Sequence, residues 1–335
     1  MEQGVYTYET VDSPCGASVH GDDALPIATV DRYGLPISTM LSKKSGIMWE
    51  SRRLTPESLE RFYNEDYRDI YTAAARETFF LGQVHYGIEL YQWLAHSCGA
   101  TAAAPETVYD IGCGMGGVLE AFRLAGARHM AGVDYGEEFL REGRRRGLDL
   151  IHGSWQQLAD RPPADLVIVS HVLEHISEVT SFLSGLRTVL KKDGLLLVVV
   201  PGIFNLKTYA FDLRNYLQNA HLYHFCQDTL AALASRCGYE VVAATEDVYM
   251  ALRPADAVAP IPWDSDLHTK ILTYFNRCED IVTHPDALYP IEYEQGRYSK
   301  IRLLNRLLDK ANLRVVHFSD QQRAELSKLL RPFIL

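Results

Sequence analysis

Val108-Tyr109-Asp110-Ile111-Gly112-Cys113-Gly114-Met115-Gly116-Gly117 is the stretch whose reading decides the fold. Its apolar head, 107–111, reads as a strand, and the glycines stand where that strand must turn into a helix. Glycine lets a backbone pass close to a ligand, and the first turn of a helix offers unpaired N–H groups to a carboxylate or phosphate. Read as G-x-G-x-x-G, through Gly112, Gly114 and Gly117, the stretch is a dinucleotide fingerprint. Read as D-x-G-x-G-x-G, through Asp110, Gly112, Gly114 and Gly116, it is a site for a nucleoside that carries an amino acid. The loop alone does not separate the two. Asp134 follows at the end of the second apolar run, with Tyr135 beside it. An acid at that strand tip can accept both ribose hydroxyls, and the aromatic can cover an adenine. A nucleoside ligand follows, and NAD still fits.

Outward from the loop, apolar runs alternate with helical segments: 107–111, 130–133, 150–151, 166–170, 195–200, 240–244 and 248–252. Alternation of this kind predicts a parallel sheet built from βαβ units. Only Thr245-Glu246-Asp247 separates the last two runs, too little for a crossover, so that pair must be antiparallel. On the N-terminal side, Thr55-Pro56-Glu57 reads as a helix start, with a hydroxyl cap, proline in the first turn and an acid behind it. A helical stretch runs from there to about His96, with Phe62, Ile70, Phe79, Phe80, Val84, Ile88 and Trp93 as candidate buried positions. Gly82 and Gly87 are expected to weaken it and to break it into two helices. On the C-terminal side, Pro254, Pro260 and Pro262 mark a linker, followed by helical segments near 264–281, 297–312 and 320–331. In the second of these, Ile301, Leu304 and Leu308 form one apolar face. The expected organisation is a cap at 1–53, a helical lead-in at 54–100, a nucleoside-binding α/β domain at 101–253 and a helical appendage at 254–335.

Composition narrows the partners. The 335 residues hold 33 Lys+Arg against 43 Asp+Glu, a net charge of −10, which disfavours a phosphate backbone as partner; no nucleic acid is expected. The six cysteines are scattered with no C-x-x-C pair, as expected of reduced thiols in the cytoplasm. The first residues lack a basic flank followed by an apolar stretch, and the longest apolar run, 195–200, is far too short for a membrane span.

The features that choose between the ligands lie downstream. Ala164-Asp165-Leu166-Val167-Ile168-Val169-Ser170-His171-Val172-Leu173-Glu174-His175 precedes Leu190-Lys191-Lys192-Asp193-Gly194-Leu195 and another apolar run. With the glycine loop, Asp134 and the closing hairpin, residues 107–253 resemble class I S-adenosylmethionine-dependent methyltransferases. The form S-H-V-L-E-H resembles the subgroup that modifies sugars and other small acceptors. The resemblance implies a Rossmann-like seven-stranded, mostly parallel sheet with an antiparallel last strand. It also implies S-adenosylmethionine as cofactor, and makes an NAD reductase the weaker reading. Asp110, Gly112, Gly114 and Gly116 would hold the methionine end, Asp134 the ribose and Tyr135 the adenine. Members of the family often place an Asp after the third strand to meet the adenine amine; here Gly153-Ser154-Trp155 stands there, so Ser154 would meet the base edge and Trp155 would stack.

His171 closes the fourth strand, where the family's reactive methyl faces the acceptor, so it is expected both beside the cofactor and as a catalytic group. A hydroxyl is a poor nucleophile while protonated, and a histidine base helps if its proton is lost in the transition state. His175 and His221, the latter in His221-Leu222-Tyr223-His224-Phe225, are the other candidates. His171, Glu174 and His175 share one helical face, a spacing that can also hold a metal. In many methyltransferases this Glu and His serve packing and hydrogen bonding, so no metal is expected. Sugar C-methyltransferases carry E-H-x-x-Y-F in the later loop; here the Glu is absent and His224 replaces the Tyr, which favours oxygen over carbon methylation.

Residues 12–16 (Asp12-Ser13-Pro14-Cys15-Gly16) and 42–46 (Ser42-Lys43-Lys44-Ser45-Gly46) look like two degraded knuckles of a zinc ribbon, with only Cys15 left of four cysteines. Tyr67, Arg68, Tyr71 and Gln83 are candidates to touch the methionine end of the cofactor, and Trp49, Trp155 and Trp263 to stack on a sugar. The expected function is O-methylation of a sugar hydroxyl, on a polysaccharide or glycosylated metabolite, with a small-molecule or glycan acceptor. The alternatives are a non-catalytic cofactor-binding partner protein, a metal-dependent methyltransferase, or a C- or N-methyltransferase. Whether copies of the chain form a homo-oligomer is left open.

Overall fold

The computed structural model describes residues 6–32, 34–65, 76–99 and 104–283. The segments expected at 297–312 and 320–331, with Ile301, Leu304 and Leu308, lie outside them, as do Tyr67, Arg68, Ile70 and Tyr71. In chain order the elements are β1 (Tyr8–Thr10), β2 (Ala24–Val30), β3 (Pro36–Ser42), β4 (Met48–Glu50), β5 (Arg52–Leu54), α1 (Pro56–Glu65) and α2 (Arg76–Cys98). There follow β6 (Thr107–Ile111), α3 (Gly117–Ala125), β7 (His129–Asp134), α4 (Glu137–Arg145), β8 (Leu150–His152), β9 (Ala164–Ser170), α5 (Val179–Leu186) and β10 (Leu190–Val199). The remainder are α6 (Leu213–Tyr216), β11 (Tyr223–His224), α7 (Gln227–Arg236), β12 (Tyr239–Ala244), β13 (Tyr249–Pro254) and α8 (Leu267–Thr283).

Each apolar run of the sequence forms a strand of one seven-stranded sheet, ordered β12-β13-β10-β9-β6-β7-β8. β6 is parallel to β7 and to β9, β7 is parallel to β8, and β12 pairs antiparallel with β13, as the three-residue connection requires. β6 and the interior of β9 are buried on both faces, which is why they read as continuous apolar runs rather than alternating ones. The fold is the Rossmann-like one.

The described residues divide into two compact units. In the unit containing 76–169 and 186–197, α2 runs unbroken through Gly82 and Gly87, against the expectation of a break. The reason is packing. A Cβ on Gly87 would come within 2.6 Å of the Ala121 Cβ and 2.9 Å of the Val118 Cα, and one on Gly117 within 2.6 Å of the Phe80 carbonyl oxygen. The two helices touch backbone to backbone at that crossing, and the close packing offsets glycine's poor propensity. Phe80, Val84 and Ile88 of α2 are buried, as expected, while Phe79 and Trp93 are half-buried.

The other unit contains 6–65, 170–185 and 198–283. Its four-stranded antiparallel sheet is ordered β11-β4-β3-β2, so a two-residue strand from beyond the large sheet's fifth strand completes a sheet begun near residue 24. Leu267, Ile271, Phe275 and Cys278, on one stripe of α8, join Ile37, Leu41 and Met48 in a shared core. The knuckle-like turns meet: Cys15 Sγ lies 2.8 Å from Ser45 Oγ, and Gly16 and Gly46 take left-handed φ of 81° and 69°. Trp49 is fully buried and donates to the Val11 carbonyl at 3.1 Å; Trp263 lies under the Arg236 guanidinium, 4.2 Å from the ring centre. Both tryptophans are therefore engaged in packing.

Candidate functional site

The glycine loop leaves β6 with three left-handed residues, Gly112 (φ 78°), Gly114 (φ 55°) and Gly116 (φ 77°), a path that side-chain-bearing residues rarely follow. Gln83 of α2 braces it. Its Nε2 donates to the Cys113 carbonyl at 3.2 Å, and its Oε1 accepts from the Met115 and Gly117 amides at 3.2 and 3.4 Å. Gln83 thus supports the loop through its amide, a contact that nothing in the local sequence announces. Asp134, at the tip of β7, accepts from the Gly114 amide at 2.9 Å through Oδ2 and from the Gly136 amide at 2.6 Å through Oδ1. Each oxygen accepts one N–H here and keeps a second acceptor site for a hydroxyl. Asp110 is buried, and its carboxyl is held well above the usual range by that burial and by the nearby Asp134 charge.

Around the third strand, Tyr135 is 60% exposed and stands edge-on to His152 at 6.0 Å. Gly153 donates to the Asp134 carbonyl at 3.0 Å, and the Ser154 hydroxyl donates to the Gln156 side chain. Trp155 is half-buried at the start of a single 3-10 turn, Trp155–Leu158. The residues expected around a nucleoside, Asp110, Gly112, Gly114, Gly116, Asp134 and Tyr135, thus come from one loop and the adjacent strand tip.

The histidines belong to the other unit. His171 takes a left-handed φ of 54°, and its side chain is 53% exposed. A β-substituted residue held in that region is strained, and such strain concentrates at functional positions. Its Nδ1 lies 3.6 Å from Glu174 Oε1. A 3-10 turn, Leu173–His175, then buries Glu174 to 1% exposure. His175 Nε2 and His221 Nε2 each lie 3.9 Å from the same Oε1, too far for a hydrogen bond. Neither oxygen of Glu174 has a hydrogen-bond partner. His175 Nδ1 is 2.8 Å from the Ala220 carbonyl, so that nitrogen carries the proton and Nε2 keeps its lone pair. Burial lowers the His175 pKa against the raising effect of Glu174. The His221 pKa is pushed well below its ordinary value by burial and by the neighbouring His175 and His224. The centres of the two rings lie 4.8 Å apart. His221, expected as a base, is 4% exposed, with the Gln218 amide nitrogen against its Nε2. His224 is instead paired with Glu50 at 3.5 Å.

Residues 84–244 match the family model of a methyltransferase domain. That stretch of the chain carries a methyltransferase domain. Over 156 residues it is 31% identical to a probable S-adenosylmethionine-dependent methyltransferase of Mycolicibacterium smegmatis, covering 45% of this chain and 57% of that protein. It is 35% identical over 98 residues to the ubiquinone biosynthesis O-methyltransferase of Maricaulis maris, 27% of this chain and 38% of the relative. It is 30% identical over 144 residues to the C-methyltransferase NovU of Streptomyces niveus, 41% of this chain and 33% of the relative. The chain thus spans between a third and three-fifths of the length of these curated relatives. Among the described residues no helix is long and apolar enough to cross a membrane.

Proposed function

We propose that this chain transfers the methyl group of S-adenosylmethionine to a hydroxyl of a small-molecule or glycan acceptor, a sugar hydroxyl first among them. The observation that carries the reading is the Asp134 carboxylate hydrogen-bonded to the glycine loop at Gly114, with an acceptor site left on each oxygen for a ribose hydroxyl. The loop suits the cofactor. It is a backbone cradle at Gly114, where a Cβ would meet Gln83 Nε2 at 2.6 Å. Bound there, S-adenosylmethionine supplies a methyl group already activated on sulfonium. Asp110 and the loop amides take its methionine end, Asp134 the ribose and Tyr135 the adenine, with Ser154 and Trp155 at the base edge. His171, the exposed member of the histidine group, accepts the acceptor's O–H proton. With the cofactor held, that proton uptake would let the acceptor oxygen take the methyl as the carbon–sulfur bond gives its electron pair to sulfur, so that a methyl ether and S-adenosylhomocysteine would result and His171 would pass its proton to solvent. Alignment supplies most of the rate, because the displacement needs little beyond correct geometry.

Carbon methylation is a second reading, favoured by the match to NovU. Against it, His224, which stands where the C-methyltransferase pattern has a Tyr, is buried against Glu50. NMR of the product separates a methyl ether from a methyl on carbon. Calorimetry tests the cofactor assignment. The intact chain should bind S-adenosylmethionine at micromolar concentration, and Asp134→Ala should weaken it roughly a hundredfold, the value of a charged acceptor lost from two hydroxyls. Equal binding by both proteins, or a preference for NADH, refutes the assignment.

A further inference from the structure

Glu174 is a buried carboxylate with neither oxygen hydrogen-bonded, and the imidazoles of His175 and His221 stand beside it. A buried carboxylate left without partners is costly, and proteins retain one where a cation answers it. Three donor atoms, one each from Glu174, His175 and His221, lie within 4.8 Å of one another. Donors bonded at about 2.0–2.2 Å around a tetrahedral ion stand roughly 3.3–3.6 Å apart, so the 3.9 Å from Oε1 to each Nε2 is a few tenths wider than an occupied site. The outer arrangement is that of a ligand set too. The Nδ1–H of His175 donates to the Ala220 carbonyl, which fixes the ring and leaves Nε2 as the nitrogen with the lone pair. The Gln218 amide against His221 Nε2 is the group an ion would displace, and Gln218 is itself tied to Arg32 at 2.6 Å through its Oε1. The His171-x-x-Glu174-His175 motif alone implies no metal. The third donor, His221, comes from a distant loop.

We infer that Glu174, His175 and His221 bind one divalent first-row transition-metal ion, of the class that accepts two imidazoles and a carboxylate, with an open position toward His171. Such donors suit Zn²⁺, Co²⁺ or Fe²⁺ better than Mg²⁺. Three protein ligands leave room for an oxygen ligand, as in catalytic rather than structural sites. This deepens the reading of the histidine group as the acceptor side of the methyltransferase, and rests on that reading only for the ion's use, not for its binding.

The test needs neither cofactor nor acceptor. Chelator-stripped full-length protein is titrated with Zn²⁺ by calorimetry and with Co²⁺ by visible absorption. One ion should bind per chain, with the intense d–d bands of a low-coordinate Co²⁺ site. Glu174→Gln and His221→Gln should each weaken binding at least roughly a hundredfold, beyond the ten- to hundredfold typical of outer partners. His152→Gln, which alters an exposed histidine outside the cluster, should leave it unchanged. Circular dichroism shows whether each variant is folded, and His175→Gln provides a further ligand variant if one is not. Asp134→Ala should lose S-adenosylmethionine and keep the metal, so the two assignments fail separately. No binding by the wild type, or binding that survives both Glu174→Gln and His221→Gln, overturns the inference.

Discussion

Glu50 and Glu174 lie in the same unit, both almost wholly buried and both beside histidines, yet their surroundings differ in kind. Glu50 is met on every side. Its Oε1 accepts from the Thr39 hydroxyl at 2.5 Å and faces His224 Nε2 at 3.5 Å, and its Oε2 accepts from the Ser38 amide at 3.0 Å. Glu174 has three imidazole nitrogens 3.6–3.9 Å away and no hydrogen bond to either oxygen. A carboxylate satisfied by its own fold needs nothing further, so Glu50 is structural: it ties β3, β4 and β11 together. A carboxylate that the fold buries and leaves unanswered is held for something that arrives later. The pair shows that burial and histidine neighbours do not distinguish a functional acid from a structural one. Satisfaction of the oxygens does.

The largest effect expected from this contrast is on stability. Glu50→Ala strips partners from a buried hydroxyl, a half-buried amide and His224 at once, and should cost about 3–5 kcal/mol, read by urea or thermal unfolding. Glu50→Gln, which keeps one acceptor oxygen, should cost less. If Glu50→Ala unfolds at the wild-type midpoint, the distinction between the two acids collapses.

Glu174→Gln sharpens the comparison from the other side. Removing an unanswered buried charge should leave the metal-stripped protein as stable as wild type or more stable by about 1–2 kcal/mol. Added Zn²⁺ should raise the unfolding midpoint of wild type alone, because only a folded state that binds the ion gains from it. The two Glu→Gln changes are chemically identical, yet only the one at Glu50 should destabilise.

The contrast also marks how far the sequence could be read. The seven strands were legible because each is a run of apolar residues whose period needs no partner to be recognised, and Thr245-Glu246-Asp247 is too short to allow anything but an antiparallel pair. The glycine loop and Asp134 were legible because their spacing follows from local backbone geometry. Local propensity failed at Gly87, where a neighbouring helix decides the outcome. It could not reach Glu50 and His224, which meet only because β11 adds to a sheet begun far upstream. The cluster at Glu174 was half-legible. His171 and His175 announce themselves by spacing, whereas the approach of His221 is set by the path of the loop after β10.

Asp165 supplies the smallest and last test, as a carboxylate that is answered but not buried. Its side chain is 29% exposed; Oδ1 accepts from Lys191 Nζ at 2.6 Å, and Oδ2 from the Thr107 and Glu106 amides at 2.8 and 3.2 Å. Partial burial pushes its pKa upward, but the Lys191 contact and the two amides together outweigh it and hold the carboxyl below its ordinary value. A carboxyl whose pKa is lowered by folding contributes stability that is complete above its unfolded pKa of about 3.9 and is lost as pH falls through the folded value. Wild type should therefore lose a little stability below about pH 4 that Asp165→Asn does not lose, with the difference at neutral pH under about 1 kcal/mol because solvent screens the pair. Unfolding midpoints of the two proteins across pH 3–7 measure it. A loss as large as that of Glu50→Ala would mean that hydrogen-bond count alone, and not satisfaction within a dry interior, sets what a carboxylate is worth in this chain.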